Sequence, residues 1–124
     1  MDDQAAPLFR QIAVLIEDSI VDGTLVPGDR APSTNELAEF HSINPATARK
    51  GLNLLVDIGV LEKRRGLGMF VTHNARTNII ARRTEKFAAD YVAPLIDEAV
   101  KLDLRREALH DLIEKVAESR GLYQ

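Results

Sequence analysis

Three short stretches of this chain carry side chains suited to gripping a polyanion. Ser33, Thr34 and Asn35 open one predicted helix. Asn44, Ala46, Thr47, Arg49, Lys50 and Asn53 occupy the front and outer face of the next, and Lys63, Arg64, Arg65, Gly66 and Gly68 make a basic, glycine-containing run after it. The chemistry on offer is hydrogen bonding and charge rather than bond-making. Arginine can hold a guanine with two hydrogen bonds or clamp a phosphate, lysine supplies a point charge, and Asn or Thr reaches a phosphate oxygen or a base edge. Amides at a helix start can receive phosphate oxygens. Taken singly, each stretch also reads as ordinary structure: Asn44–Pro45 is a well-made helix start, and KRRG is a solvated turn. Their order points to DNA: cap, amphipathic helix with a basic front, glycine stop, basic glycine hairpin.

The elements that must position these groups follow from periodicity and capping. A first helix is predicted over 7–21, with Leu8, Ile12, Leu15, Ile16 and Ile20 at helical spacing and Gly23 as its stop. LVPGDRAP reads as turn, and STNE from Ser33 is a capping box that starts a short helix over 34–40 with Leu37 and Ala38 inward. A third helix runs over 45–58 with Ala48, Leu52, Leu55 and Val56 on one arc and Ala46, Arg49, Lys50, Asn53 and Asp57 on the opposite one. VLEKRRGLGMFV predicts a β-hairpin of 60–65 and 69–72 joined through Gly66-Leu67-Gly68.

Three helices and a hairpin in that order give a mainly α fold, a winged helix-turn-helix over 1–73, followed by a short helical region over 74–124. In the latter, helix is predicted from about Thr77, with Ile80, Phe87, Tyr91, Leu95, Ala99 and Leu102 on one stripe and Pro94 kinking or breaking it near Val92–Ala93. A last helix over 104–119 carries Leu104, Ala108, Leu112 and Val116, and Asp97–Lys101 and Asp111–Lys115 have the spacing of exposed ion pairs.

Composition limits the alternatives. The 124 residues suit one compact core with a small appendage, and they include no cysteine, which excludes disulfides and thiolate metal sites. No apolar run approaches the ~20 residues that span a bilayer, and the acidic MDDQAAP start is unlike a signal peptide, so a cytoplasmic location is expected. The net charge of −3 conceals a strong polarity: residues 1–40 hold two Arg against eight Asp or Glu, residues 41–83 carry +6, and residues 84–124 carry −3. A basic middle inside an acidic chain can still seek phosphate, because the field depends on where charges sit.

Residues 7–71, from PLFRQI through GTLVPGDR and PSTNELA to the glycine wing ending in FV, resemble the N-terminal winged helix of the GntR family of bacterial transcription regulators. Asn44-Pro45 and the short two-helix tail resemble its small YtrA-like subfamily in particular. The resemblance implies a dimeric repressor of double-stranded DNA, with the C-terminal helices forming the homodimer through Ile80, Phe87, Tyr91, Leu95, Leu102, Leu112 and Val116. Targets in that subfamily are often transporter operons. Thr47, Arg49 and the wing Gly66 match DNA-contacting positions of the family. Many members, however, have arginine where this chain has Asn35, and Ser/Thr-Arg where it has Asn44-Pro45. Gly51 stands where a longer residue is usual, and Met69 replaces a common threonine.

Other function classes have weaker support in the residues. The histidines His41, His73 and His110 are widely separated, with no metal-ligand spacing and no activated nucleophile, so catalysis, a metal or an obligatory cofactor is not expected. A winged helix used for protein or RNA contact is the alternative reading. It would need an exposed apolar or stacking surface, and the only aromatic of the basic middle is Phe70. A small-molecule effector would be confined to a small pocket near Tyr91 or Phe87.

Overall fold

The computed structural model describes residues 6–123; Asp2 and Asp3 of the acidic N-terminal stretch lie outside them. Ile12, Ile16 and Ile20 recur every fourth residue and are buried along α1, Leu8–Val21. Leu8 and Leu15, expected on the same face, are exposed; Ala13 and Glu17 take the inward positions instead. The difference follows from the 3.6-residue turn, which rotates Leu15 about 100° from Ile16. Helix α2, Thr34–His41, starts with the expected reciprocal box. The Glu36 amide donates to the Ser33 hydroxyl at 3.1 Å, and the Ser33 amide donates to the Glu36 carboxylate at 2.8 Å. Helix α3, Pro45–Asp57, is capped by Asn44, whose side-chain oxygen accepts from the Ala46 amide at 2.8 Å.

Leu52 and Leu55 of α3 are wholly buried among Ile12, Ile16, Leu37 and Ala48, so α3 packs against both earlier helices. Val56, expected inward, is only partly buried. Gly51 is buried too, for a specific reason: a Cβ there would lie 2.8 Å from the Phe9 carbonyl oxygen and 3.2 Å from Ile12 Cγ2. The residue that weakens α3 as a helix therefore lets α1 close against it.

The hairpin consists of β1, Leu61–Arg64, and β2, Gly68–Val71, paired antiparallel with Leu61 opposite Val71 and Arg64 opposite Gly68. It is shorter than predicted, and Gly68 belongs to the strand rather than to the connection. The stretch read only as turn contributes a third rung. The Ala31 amide donates to the Met69 carbonyl at 2.8 Å, and the Val71 amide donates to the Asp29 carbonyl at 2.9 Å, with Arg30 bridging to Phe70. At the base of the wing the Thr72 hydroxyl donates to the Gly59 carbonyl at 2.7 Å.

Helix α4, Ala75–Phe87, begins earlier than predicted and brings Ala75 and Ile79 into the same core. Glu17, a buried carboxylate, accepts from Arg82 at 2.8 Å and Arg83 at 3.1 Å, and Arg83 also reaches Asp18 at 2.8 Å. With Ala75 and Ile79 in that core, the two compact units are Met1–Arg83 and Thr84–Gln124, a division further along than the expected 73/74 boundary.

Within the second unit a π-helical turn, Ala88–Val92, leads into α5, Ala93–Lys101, with Pro94 in its first turn. The chain neither breaks nor reverts to coil at the proline. The wider turn just before it takes up the lost hydrogen bond and the ring's bulk. Helix α6, Arg106–Ser119, starts later than predicted. Lys101 faces Glu98 at 3.9 Å rather than Asp97, a contact too long and exposed to contribute much. Among the described residues of this unit Ala99 and Ala117 are buried, and α5 and α6 leave between them an apolar groove lined by Leu95, Leu102, Leu112 and Val116.

Gly51→Ala sets two effects against each other. Helix propensity favours alanine by up to ~1 kcal/mol, whereas forcing a methyl against backbone in a packed core costs about 1–3 kcal/mol. The clash involves a main-chain oxygen, so urea unfolding should show a net loss of stability. A gain would mean that α1 can retreat freely.

Candidate nucleic-acid interface

Two shallow grooves flank α3. The wing-side groove, about 360 Å³, is lined by Ser33, Thr34 and Asn35 from the start of α2, Arg49 from α3, and Lys63, Arg64, Gly66 and Gly68 from the hairpin. The groove on the α1 side is lined by Ala46, Arg49, Lys50 and Asn53 together with Phe9 and Arg10. Three segments far apart in sequence thus form one surface, and Arg49 borders both grooves. Of the remaining sequence-predicted residues, Asn44 is exposed at the α3 cap, Thr47 is half-buried in its first turn, and Arg65 is exposed between the strands. None of the three lines either groove.

The cations differ in how they are held. Among the described residues Arg49, Lys63 and Arg65 make no ion pair or side-chain hydrogen bond, so their charge is fully available to an incoming anion. Arg64 donates to Glu62 from Nε at 3.1 Å and from Nη2 at 2.9 Å, while its guanidinium stacks 4.3 Å from the Phe70 ring centre. Phe70, the one aromatic of the basic middle, is half-buried and serves as this platform. The Lys50 ammonium lies 4.3 Å over the Phe9 ring. Such exposed pairings contribute no more than about 1 kcal/mol each, so they orient side chains without withholding them from a phosphate.

Sequence reading missed Arg30, Phe9 and Arg10 in this surface. Arg30 lines the wing-side groove and pairs with Glu36 at 3.4 Å. Its position inside a turn motif hid its pairing with the hairpin. The Glu36 carboxyl is held below its ordinary value of 4.5, chiefly by the hydrogen bond from the Ser33 amide, then by the Ser33 hydroxyl contact and the Arg30 charge.

The sequence pattern that defines the bacterial regulatory proteins of the gntR family matches residues 8–71, the segment that builds this surface. The chain belongs to the GntR family. Members of GntR are DNA-binding transcription regulators rather than enzymes, and their partner is double-stranded operator DNA. Among curated relatives, the HTH-type transcriptional repressor YtrA of Bacillus subtilis is 28% identical over 91% of this chain and 86% of its own length. The fold is that of a GntR regulator from Listeria monocytogenes, 28% identical, with a TM-score of 0.71 over 89% of this chain and 95% of that one. The DNA-binding domain of AraR, solved in complex with an operator, is 32% identical, with a TM-score of 0.51 over 53% of this chain and 80% of that one. Among the described residues no helix is long and apolar enough to cross a membrane, and no group of three His, Asp or Glu side chains is placed to hold a metal ion.

Protonation of Glu36 should weaken the α2 cap. Its folded value is depressed, so its contribution to stability is present above pH 4.5 and lost as pH falls through the lowered folded value. The stability difference between the parent protein and Glu36→Gln should therefore shrink on acidification. A constant difference in unfolding experiments across that window would contradict the assignment.

Proposed function

We propose that this GntR regulator is a cytoplasmic homodimeric repressor that occludes a promoter by binding a near-palindromic operator, with a transporter operon as its expected target. The observation that carries DNA reading is the placement of Arg49. It stands unpaired on the outer face of α3, shared by both grooves, with Asn53 on the same face and Thr47 in the first turn. In this reading α3 enters the major groove and Arg49 contacts a base edge. Ser33, Thr34, Asn35 and Asn44 approach phosphates, and Lys63 to Gly68 follow the backbone beside the minor groove. The α2 cap leaves the Thr34 and Asn35 amides at the open end of a helix, which favours a phosphate oxygen there.

Dimerisation through the second unit is supported by its surface. Leu95, Leu102, Leu112 and Val116 line the apolar groove of α5 and α6 and are exposed, as are Phe87 and Tyr91 earlier in the chain, more apolar surface than a small helical pair carries without a partner. Ile80, on α4 in the first unit, is exposed as well. A second copy covering this face would set two recognition helices about one helical turn apart, over two half-sites. Repression has support in the likeness to YtrA along most of both chains.

Selection of bound duplexes from a random pool at moderate salt tests it. An inverted repeat is expected, and binding without any motif that vanishes as salt rises would refute sequence reading. Arg49→Ala should weaken the selected duplex by roughly 1–3 kcal/mol and relax one base position; uniform loss on all duplexes would make Arg49 a phosphate contact. The cut that leaves an intact core is after Arg83, because Ala75 and Ile79 belong to it. That fragment should sediment as a folded monomer with weak DNA affinity, and a persistent dimer would exclude the second unit as the dimer element.

A further inference from the structure

Residues 1–40 are the most acidic part of the chain and hold only two cations, Arg10 and Arg30. Folding carries each of them to a different groove beside α3, Arg10 to the α1 side and Arg30 to the wing side. A region with six excess negative charges opposes approach to DNA, so the delivery of both its cations to the face that carries Arg49 is a specific arrangement of charge.

Each arginine is also positioned. Among the described residues Arg10 has no ion pair or side-chain hydrogen bond, and its guanidinium lies 5.2 Å from the centre of the Phe9 ring. The same ring carries the Lys50 ammonium at 4.3 Å, so one aromatic gathers two cations at the edge of α3. The close approach of α1 at Gly51 brings that ring there. Arg30 lays its aliphatic stem along Gly68, where a Cβ would come within 3.3 Å of Arg30 Cδ; Gly68 has a φ of 121°, which L side chains rarely adopt. Its guanidinium reaches Glu36 at 3.4 Å, an exposed pair that a phosphate can replace while Glu36 keeps its bond from the Ser33 amide.

We infer that Arg10 and Arg30 are phosphate contacts that grip the two sugar–phosphate strands bordering the major groove, one on either side of α3. The inference rests on the operator-binding reading above and deepens it. A helix lying in a major groove about 12 Å wide has a phosphate strand along each wall. The two grooves beside α3 supply a cationic bed for each strand: Arg10 with Lys50 for one, Arg30 with Lys63 and Arg64 for the other, and Arg49 between them. Among the described residues, Glu36 and Glu62 pair with Arg30 and Arg64, and Asp57 lines the α1-side groove.

The test uses the full chain carrying Arg10→Ala, Arg30→Ala, Arg10→Lys or Arg30→Lys. Affinity is measured over a salt series for a duplex recovered from the random pool and for the same duplex with its sequence shuffled. Each alanine variant should weaken both duplexes by a similar factor, on the order of tenfold, and lower the slope of log affinity against log salt by about 1. The lysine variants, which keep the charge and leave the α2 cap undisturbed, should retain the slope. A parent protein with a steep slope whose alanine variants match it in slope and affinity would overturn the inference. Loss confined to the recovered duplex would also overturn it, by making these arginines base readers. A parent with which the random pool yields no bound duplex would remove the operator reading itself, leaving the two arginines without the phosphate strands assigned to them.

Discussion

Helix α3 must bury one face against two other helices while leaving the opposite face bare to a polyanion, and Gly51 is where those demands meet. A buried residue at that turn cannot carry a side chain, because the Phe9 carbonyl oxygen occupies the space a Cβ would need. The contact fixes how deeply α1 seats against α3, and hence where Phe9 stands beside Lys50. From there the rest of the first unit follows. Leu52 and Leu55 drive into the core, and the alternation of buried and exposed positions along the helix leaves Arg49, Lys50 and Asn53 outside. A helix with a better intrinsic propensity at residue 51 would stand further from α1 and present a differently shaped face.

Local signals were legible in the sequence and non-local ones were not. Ser33 with Glu36, and Asn44 before Pro45, mark helix starts because capping uses atoms at most three residues apart. The apolar arc of α3 could be read from its period, and the hairpin from glycines between apolar ends. Leu15 misled because periodicity gives only a broad stripe, whereas the width of the neighbour decides which edge is covered. The pairing of residues 28–31 with β2 was hidden by Pro27–Gly28, whose turn chemistry says nothing about what the following backbone touches. For the same reason the candidate site was incomplete: the segments that build α2, α3 and the wing announced themselves, while Arg10 and Arg30 acquire their place only through packing.

Glu17 illustrates the strongest non-local effect. A glutamate in the middle of a helix normally reads as solvated, yet this one is buried, and its partners follow 65 and 66 residues later. Burying a carboxylate costs several kcal/mol unless it is paired. Here two guanidinium groups face it, and their partial exposure lets them keep some hydration. The second half of α4 is thereby tied to α1 through Arg82 and Arg83, and the division between the two compact units falls after Arg83, short of the π-helical turn.

The wing is held very unevenly along its length. Its root is fastened by the Thr72 hydroxyl, by the pairing with residues 28–31 and by the buried side chains of Leu61 and Val71. Its far end, Arg65-Gly66-Leu67, is tied among the described residues by the Leu67 amide donating to the Arg64 carbonyl at 2.9 Å. Mechanically this is a beam clamped at one end, stiff where it meets the core and compliant at the tip. In the proposed reading such a tip tracks minor grooves of different width without disturbing α3, lending adhesion to many sequences and leaving discrimination among them to the helix.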